Sequence, residues 1–143
     1  MDPKKVARGK KSKAAGSQFE NRVRADLEEK GWIVDKWTNN VSDSKLVKAK
    51  AKWAGPNRPM MMGAGFPDFV CFRIIATNNL YWYEVIGVES KMTGELDKPE
   101  KEKCVWLLDN QIFSKILIAE KTKVKNRVVV VYHDFKIKYR RFL

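Results

Sequence analysis

Apolar residues recur at helical spacing in two stretches of the chain and alternate, or cluster in short runs, through most of the rest. Phe19, Val23 and Leu27 fall four apart, Ser17 to Glu20 fits a capping box, and Gly31 suits a left-handed helix end, so a helix is predicted from about residue 18 to 30. Trp32 to Trp37 (WIVDKW) reads as a strand. FPDFVCFRII from Phe66 and YWYEVIGVESK from Tyr81 flank Asn78-Asn79, a pair that tolerates positive φ, and together they predict a hairpin. Asp97 and Glu100 bracket Pro99 at a helix start, Cys104, Val105, Leu107 and Leu108 form its apolar stripe, and Asn110 ends it. The runs KILIA (Lys115 to Ala119) and VVVVY (Val128 to Tyr132) suit buried strands. The terminal FKIKYRRFL alternates Phe135, Ile137 and Tyr139 with basic residues and predicts an edge strand. The order is helix, strands, helix, strands.

Residues 38 to 65 make a connection too long to be structureless in a compact domain. Leu46 to Trp53 (LVKAKAKW) alternates well enough for a strand with lysines on one face, and GPNRPMMMGAG is a loop of the kind that carries function or disorder. Ordinary packing is the favoured role for Met60, Met61 and Met62, over a wedge against bases. Residues 1–16 mix lysine, alanine, glycine and serine without apolar periodicity, which reads as a disordered basic arm preceding one domain at 17–143.

Composition then narrows the partner. The 143 residues are enough for one core, and the formal charge is +12. Six cations against Asp2 place +5 of that charge in residues 1–16 and leave +7 on the remainder, so the folded part is itself basic. Such an excess favours a polyanion, with nucleic acid the expected partner and a merely solubilising surface the alternative. No stretch is apolar enough to span a membrane and the N-terminus lacks a signal peptide's apolar centre, so an intracellular protein without membrane contact is expected. Cys71 and Cys104 are far apart in sequence, suggesting reduced thiols, and the lone His133 reads as structural.

The chemistry concentrates in Pro67-Asp68 and Glu89-Ser90-Lys91. Carboxylate oxygens suit a hard divalent cation, and a lysine can steady an attacking water. On a strand Glu89 and Lys91 share a face with Gly87 while Ser90 points away. A two-residue turn at Asn78-Asn79 sets Asp68 opposite Glu89, and a four-residue turn sets it opposite Gly87, diagonal to Glu89. Both registers keep the acids on one face, whereas a slip of one residue would part them. Two carboxylates so close repel unless a cation or proton lies between them. Gly87 marks either a close approach by another group or a simple twist.

These residues resemble the PD-(D/E)xK nuclease superfamily, and the wider pattern is similar to archaeal Holliday-junction resolvases and related archaeal or viral nucleases. The likeness runs from about Gly16 to Ala119 and takes in GSQFENRVRADLEEKGW, FPDFV, VESK, and EKCVWLL followed by KILIA. It implies an α/β, restriction-endonuclease-like core, a mixed central sheet flanked by helices. Asp68 and Glu89 would bind Mg2+, or Mn2+ as a substitute, as one or two ions, with the Ser90 backbone carbonyl as a further ligand. Lys91 would orient or activate water. Glu20 would join the catalytic group directly or through water, against a competing role in the capping box with Ser17. Lys103 stands where many relatives carry glutamine and would meet a phosphate.

The expected reaction is hydrolysis of DNA phosphodiesters by metal-activated water, most like junction resolution, which implies branched DNA and a homodimer. Phosphate contacts are expected from Lys10, Lys11, Lys13, Lys48, Lys50, Lys52, Arg58, Lys103 and the basic C-terminal strand. A related nuclease acting on duplex, flaps or ends is the near alternative, and a non-catalytic DNA-binding module with the same fold is the distant one.

Overall fold

A computed structural model describes residues 2–53, 55–57, 61–62 and 65–143. Arg58 and Met60 lie outside the described residues, and so do their expected roles. The first helix, α1, spans Pro3–Glu29 and buries Phe19, Val23 and Leu27 as a single stripe. Five strands form the main sheet: β1 (Ile33–Lys36), β6 (Phe69–Thr77), β7 (Tyr81–Ser90), β8 (Lys115–Val124) and β9 (Arg127–Asp134), in that spatial order. All neighbours are antiparallel except β7 and β8, which run parallel and are joined through α2 (Lys98–Asp109). The sheet is therefore mixed, and the chain is α/β. Two small ribbons, β2 (Asn39–Ser42) with β3 (Lys45–Lys48) and β4 (Ala51–Lys52) with β5 (Met61–Met62), occupy the long connection. The single strand expected from Leu46 to Trp53 is thus divided, with Ala49 and Lys50 between its halves.

The sheet carries apolar side chains on both faces, and this is why Ile86, Gly87, Val88 and Glu89 are buried in succession. Ile86 and Val88 pack with Phe19, Val23, Leu27 and Val34 on the α1 side. Leu107, Phe113, Ile116, Ile118 and Phe135 fill the other side beneath α2.

Three expectations change. The helix does not begin at Ser17: Asp2 is the N-cap, accepting from the Lys4 amide, and Pro3 occupies the first turn, so residues 3–16 are helical rather than a structureless arm. Ser17 lies inside the helix and forms no capping box with Glu20. The C-terminal edge strand is instead a short helical turn, α3 (Phe135–Lys138), because Asp134 caps it through the Lys136 and Ile137 amides. Phe135 then meets Tyr139 four residues on, ring centroids 5.4 Å apart, while Ile137 stays 67% exposed, which a strand's inward face would not allow. Strand β9 is the edge of the sheet, with Val129 and Val131 open to solvent rather than buried.

Candidate active site

Register decides whether the two acids meet. Thr77 pairs with Tyr81, so the hairpin loop has three residues, one more than the tightest turn anticipated. That extra residue would slip the ladder by one. Between Ile74 and Ala76, however, the ladder shifts by one residue, and Ile75 is the surplus residue in β6. Below this bulge Ile74 faces Tyr83 and Phe69 faces Val88, which leaves Asp68 directly opposite Glu89. Loop and bulge cancel.

The segment that carries Asp68 is held from several directions. The Phe66 amide donates to Asn39 O at 2.9 Å, and the Trp37 amide donates to Asp68 O at 2.9 Å. Gly87 packs beneath it: a Cβ there would fall 2.7 Å from Pro67 Cγ and 3.1 Å from a Phe113 ring carbon. Close approach, rather than twist, accounts for this glycine.

Asp68 and Glu89 are then locked by reciprocal hydrogen bonds. The Asp68 amide donates to Glu89 Oε2 at 3.0 Å, and the Ser90 amide donates to Asp68 Oδ2 at 2.8 Å. One oxygen of each carboxylate is thereby committed. Asp68 Oδ1 and Glu89 Oε1 accept no hydrogen bond among the described residues. Glu89 is 7% exposed. Burial pushes the Asp68 carboxyl up to about 6, eased by the Ser90 amide and raised further by the charge of Glu20. Burial and then the charge of Asp68 hold Glu89 well above the ordinary carboxylate range. The Ser90 hydroxyl adds a smaller easing from nearby, without hydrogen-bond geometry, so its Oγ is a buried polar atom lacking a partner among the described residues.

Lys91 completes the group through a partner that sequence reasoning placed only at a helix start. Its ammonium lies 2.7 Å from Glu100 Oε2, at the beginning of α2. Glu100 is also the reciprocal member of a capping box with Asp97. Burial alone would lower the Lys91 ammonium, but the hydrogen bond and charge of Glu100, followed by the charge of Glu89, leave it above its ordinary value. The Asp97-x-x-Glu100 pattern was the available signal, yet a capping glutamate gives no sequence sign of a second, distant partner. Between Lys91 and α2 the connecting segment is braced by Tyr139, whose hydroxyl accepts from the Leu96 amide at 2.8 Å and donates to Glu95 at 3.0 Å.

The other expected site residues distribute unevenly. Glu20 is half-buried and near enough to raise Asp68 electrostatically, but makes no hydrogen bond to either acid. Among the described residues, no group of three His, Cys, Asp or Glu side chains is close enough to hold an ion unaided. Lys103 sits one turn beyond Glu100, half-buried, with its ammonium 5.6 Å from the centre of the Phe66 ring, so it flanks the loop carrying Asp68. Lys10, Lys11 and Lys13 are exposed on α1, and Lys48 and Lys50 are exposed in the long connection. Lys52 lies in β4, paired with Met61. His133 contacts Glu120 at 2.5 Å across β8 and β9.

No family model matches this chain, and neither does any curated protein or solved structure. No described helix is long and apolar enough to cross a membrane.

Proposed function

We propose that the protein is a metal-dependent endodeoxyribonuclease of PD-(D/E)xK type, with a restriction-endonuclease-like core, and that it acts as junction-resolving enzymes do. The observation that carries the reading is the bulge-corrected register that sets Asp68 opposite Glu89 with Lys91 two residues beyond. Two buried carboxylates held side by side, each with one oxygen uncommitted, are costly without a counter-charge. Their donor set fits Mg2+, which takes one or two carboxylates and fills its remaining positions with water and phosphate oxygens. The Ser90 carbonyl, and Glu20 through water, would be supplementary donors.

When bound, the ion would polarise a phosphate oxygen and lower the pKa of a water. The chain's own residues do the rest. Asp68 and Glu89 fix the position of charge, and the backbone amides of Asp68 and Ser90 orient the carboxylates. Lys91, kept protonated by Glu100, places a positive charge where negative charge develops on the phosphate. Lys103 and the exposed lysines of α1 and the long connection supply phosphate contacts that hold DNA in place.

Labelled four-way junction, duplex and flap DNA, incubated with Mg2+, provide the test. The parent protein is expected to cut, favouring the junction, while Asp68→Ala and Glu89→Ala bind without cutting. Preference for duplex or flap assigns another substrate within this chemistry. Binding with no cutting under any divalent cation overturns the nuclease reading in favour of a DNA-binding module.

A further inference from the structure

At the far end of the β6–β7 hairpin the chain exposes what its core positions elsewhere conceal. Ile74, Ile75, Leu80, Tyr81, Trp82 and Tyr83 are each half or more exposed, from 50% for Ile74 to 73% for Tyr81. At 150–250 Å2 for a whole aromatic side chain, the open area of these six is on the order of 700 Å2. A monomer's largest apolar patch is roughly 300–600 Å2, and one side of a standard stable interface is about 800 Å2.

The ribbon beneath this patch is also unsupported. Strand β1 covers β6 only from Phe69 to Phe72, and β8 begins to pair with β7 only at Ile86. Beyond those points the hairpin is two strands with open edges, a structure of marginal stability alone in water. Its tip contains no charged residue from position 74 to 83, in a chain of net charge +12. Nucleic acid finds no cation there to grip. Two copies of this basic chain, by contrast, meet the least mutual repulsion at a neutral surface.

We propose that the tip of the β6–β7 hairpin is a self-association surface, on which a second copy of this chain packs about a two-fold axis. The contact is isologous, with Tyr81 and Tyr83 on one face of the ribbon and Trp82 on the other covered by their own counterparts. It is independent of the catalytic reading, because Glu89 lies six residues along β7 from Tyr83, about 20 Å away at the rise of a strand. Closing the tip therefore leaves the acidic pair open.

Sedimentation equilibrium of the full chain tests this. The wild type is expected at about twice 16.6 kDa at tens of micromolar protein. Tyr81→Lys and, separately, Trp82→Lys are expected at the monomer mass with unchanged far-ultraviolet circular dichroism. Both replace exposed side chains, so the fold does not depend on them. A disulfide-linked dimer formed by Tyr83→Cys under mild oxidation is the positive counterpart. A monomeric wild type overturns the proposal, and so does a dimer that persists in both lysine variants.

Discussion

Asp68 and Glu89 hold each other through the backbone: the amide of Asp68 binds the Glu89 carboxylate, and the amide of Ser90, next in chain to Glu89, binds the Asp68 carboxylate. The arrangement fixes two acids in contact and leaves their repulsion unrelieved. That repulsion is measurable before any DNA is added.

The Asp68 carboxyl rises from 3.8 to about 6 on folding, so the folded chain retains a proton that the unfolded chain releases. Its contribution to stability is whole in acid, below about pH 4, and is lost as pH climbs through 6. For Asp68 the loss is on the order of 3 kcal/mol, and Glu89 acts in the same direction. Denaturant unfolding of metal-free protein is expected to show stability falling across this window, with Mg2+ restoring it at neutral pH by binding the folded state. Asp68→Asn, which still accepts from the Ser90 amide, is expected to flatten this pH dependence and weaken the response to Mg2+. A metal-free stability that rises from pH 4 to 7 contradicts this.

Gly87→Ala puts a methyl group against Pro67 and Phe113. Chemical denaturation is expected to show a loss of about 1–3 kcal/mol, the usual cost of overpacking. Because Pro67 precedes Asp68, the same change displaces the acidic pair and weakens Mg2+ binding. An alanine variant with wild-type stability and metal response rejects this role for Gly87.

Glu100→Gln removes the charge that keeps Lys91 protonated while preserving a side chain able to complete the capping box. The alkaline limb of the pH profile for cleavage is expected to move to lower pH. Glu100→Ala also loses the cap and costs about 1 kcal/mol more in unfolding experiments. An alkaline limb unmoved by Glu100→Gln argues that Lys91 does not depend on this partner.

DNA affinity is expected to fall steeply with salt, because phosphate neutralisation dominates a basic footprint. Replacing Lys10, Lys11 and Lys13 together by alanine is expected to lower the slope of log affinity against log salt by up to about 0.9 for each phosphate that is no longer neutralised. Fluorescence anisotropy at several salt concentrations gives the slope directly. Equal slopes for variant and parent would remove α1 from the interface.

Much of this arrangement was legible from residue order, for reasons that also explain what was hidden. Alternation on β7 put Glu89, Lys91 and Gly87 on one face, and the Asn78-Asn79 pair located the hairpin. The three-residue loop and the Ile75 bulge were not legible, since each is a one-residue departure without a distinctive sequence sign, and only their cancellation gave the anticipated pairing. Phe19, Val23 and Leu27 announced α1, but Ser17 and Glu20 imitated its beginning, while Asp2 and Pro3 supplied the actual one. FKIKYRRFL fitted a period of two as well as a helical turn; Asp134, immediately before it, settled the choice by capping. Glu100 announced a helix start, while its grip on Lys91 depends on where α2 lands against the end of β7.

Calorimetric titration of Mn2+ or Mg2+ into metal-free protein measures the shared ion most directly. Saturable binding of one or two ions by the parent, abolished by Asp68→Ala and by Glu89→Ala in folded variants, is the predicted result. Binding of equal stoichiometry and affinity in all three proteins would show that the ion, if any, lies elsewhere, and the proposed centre would fall.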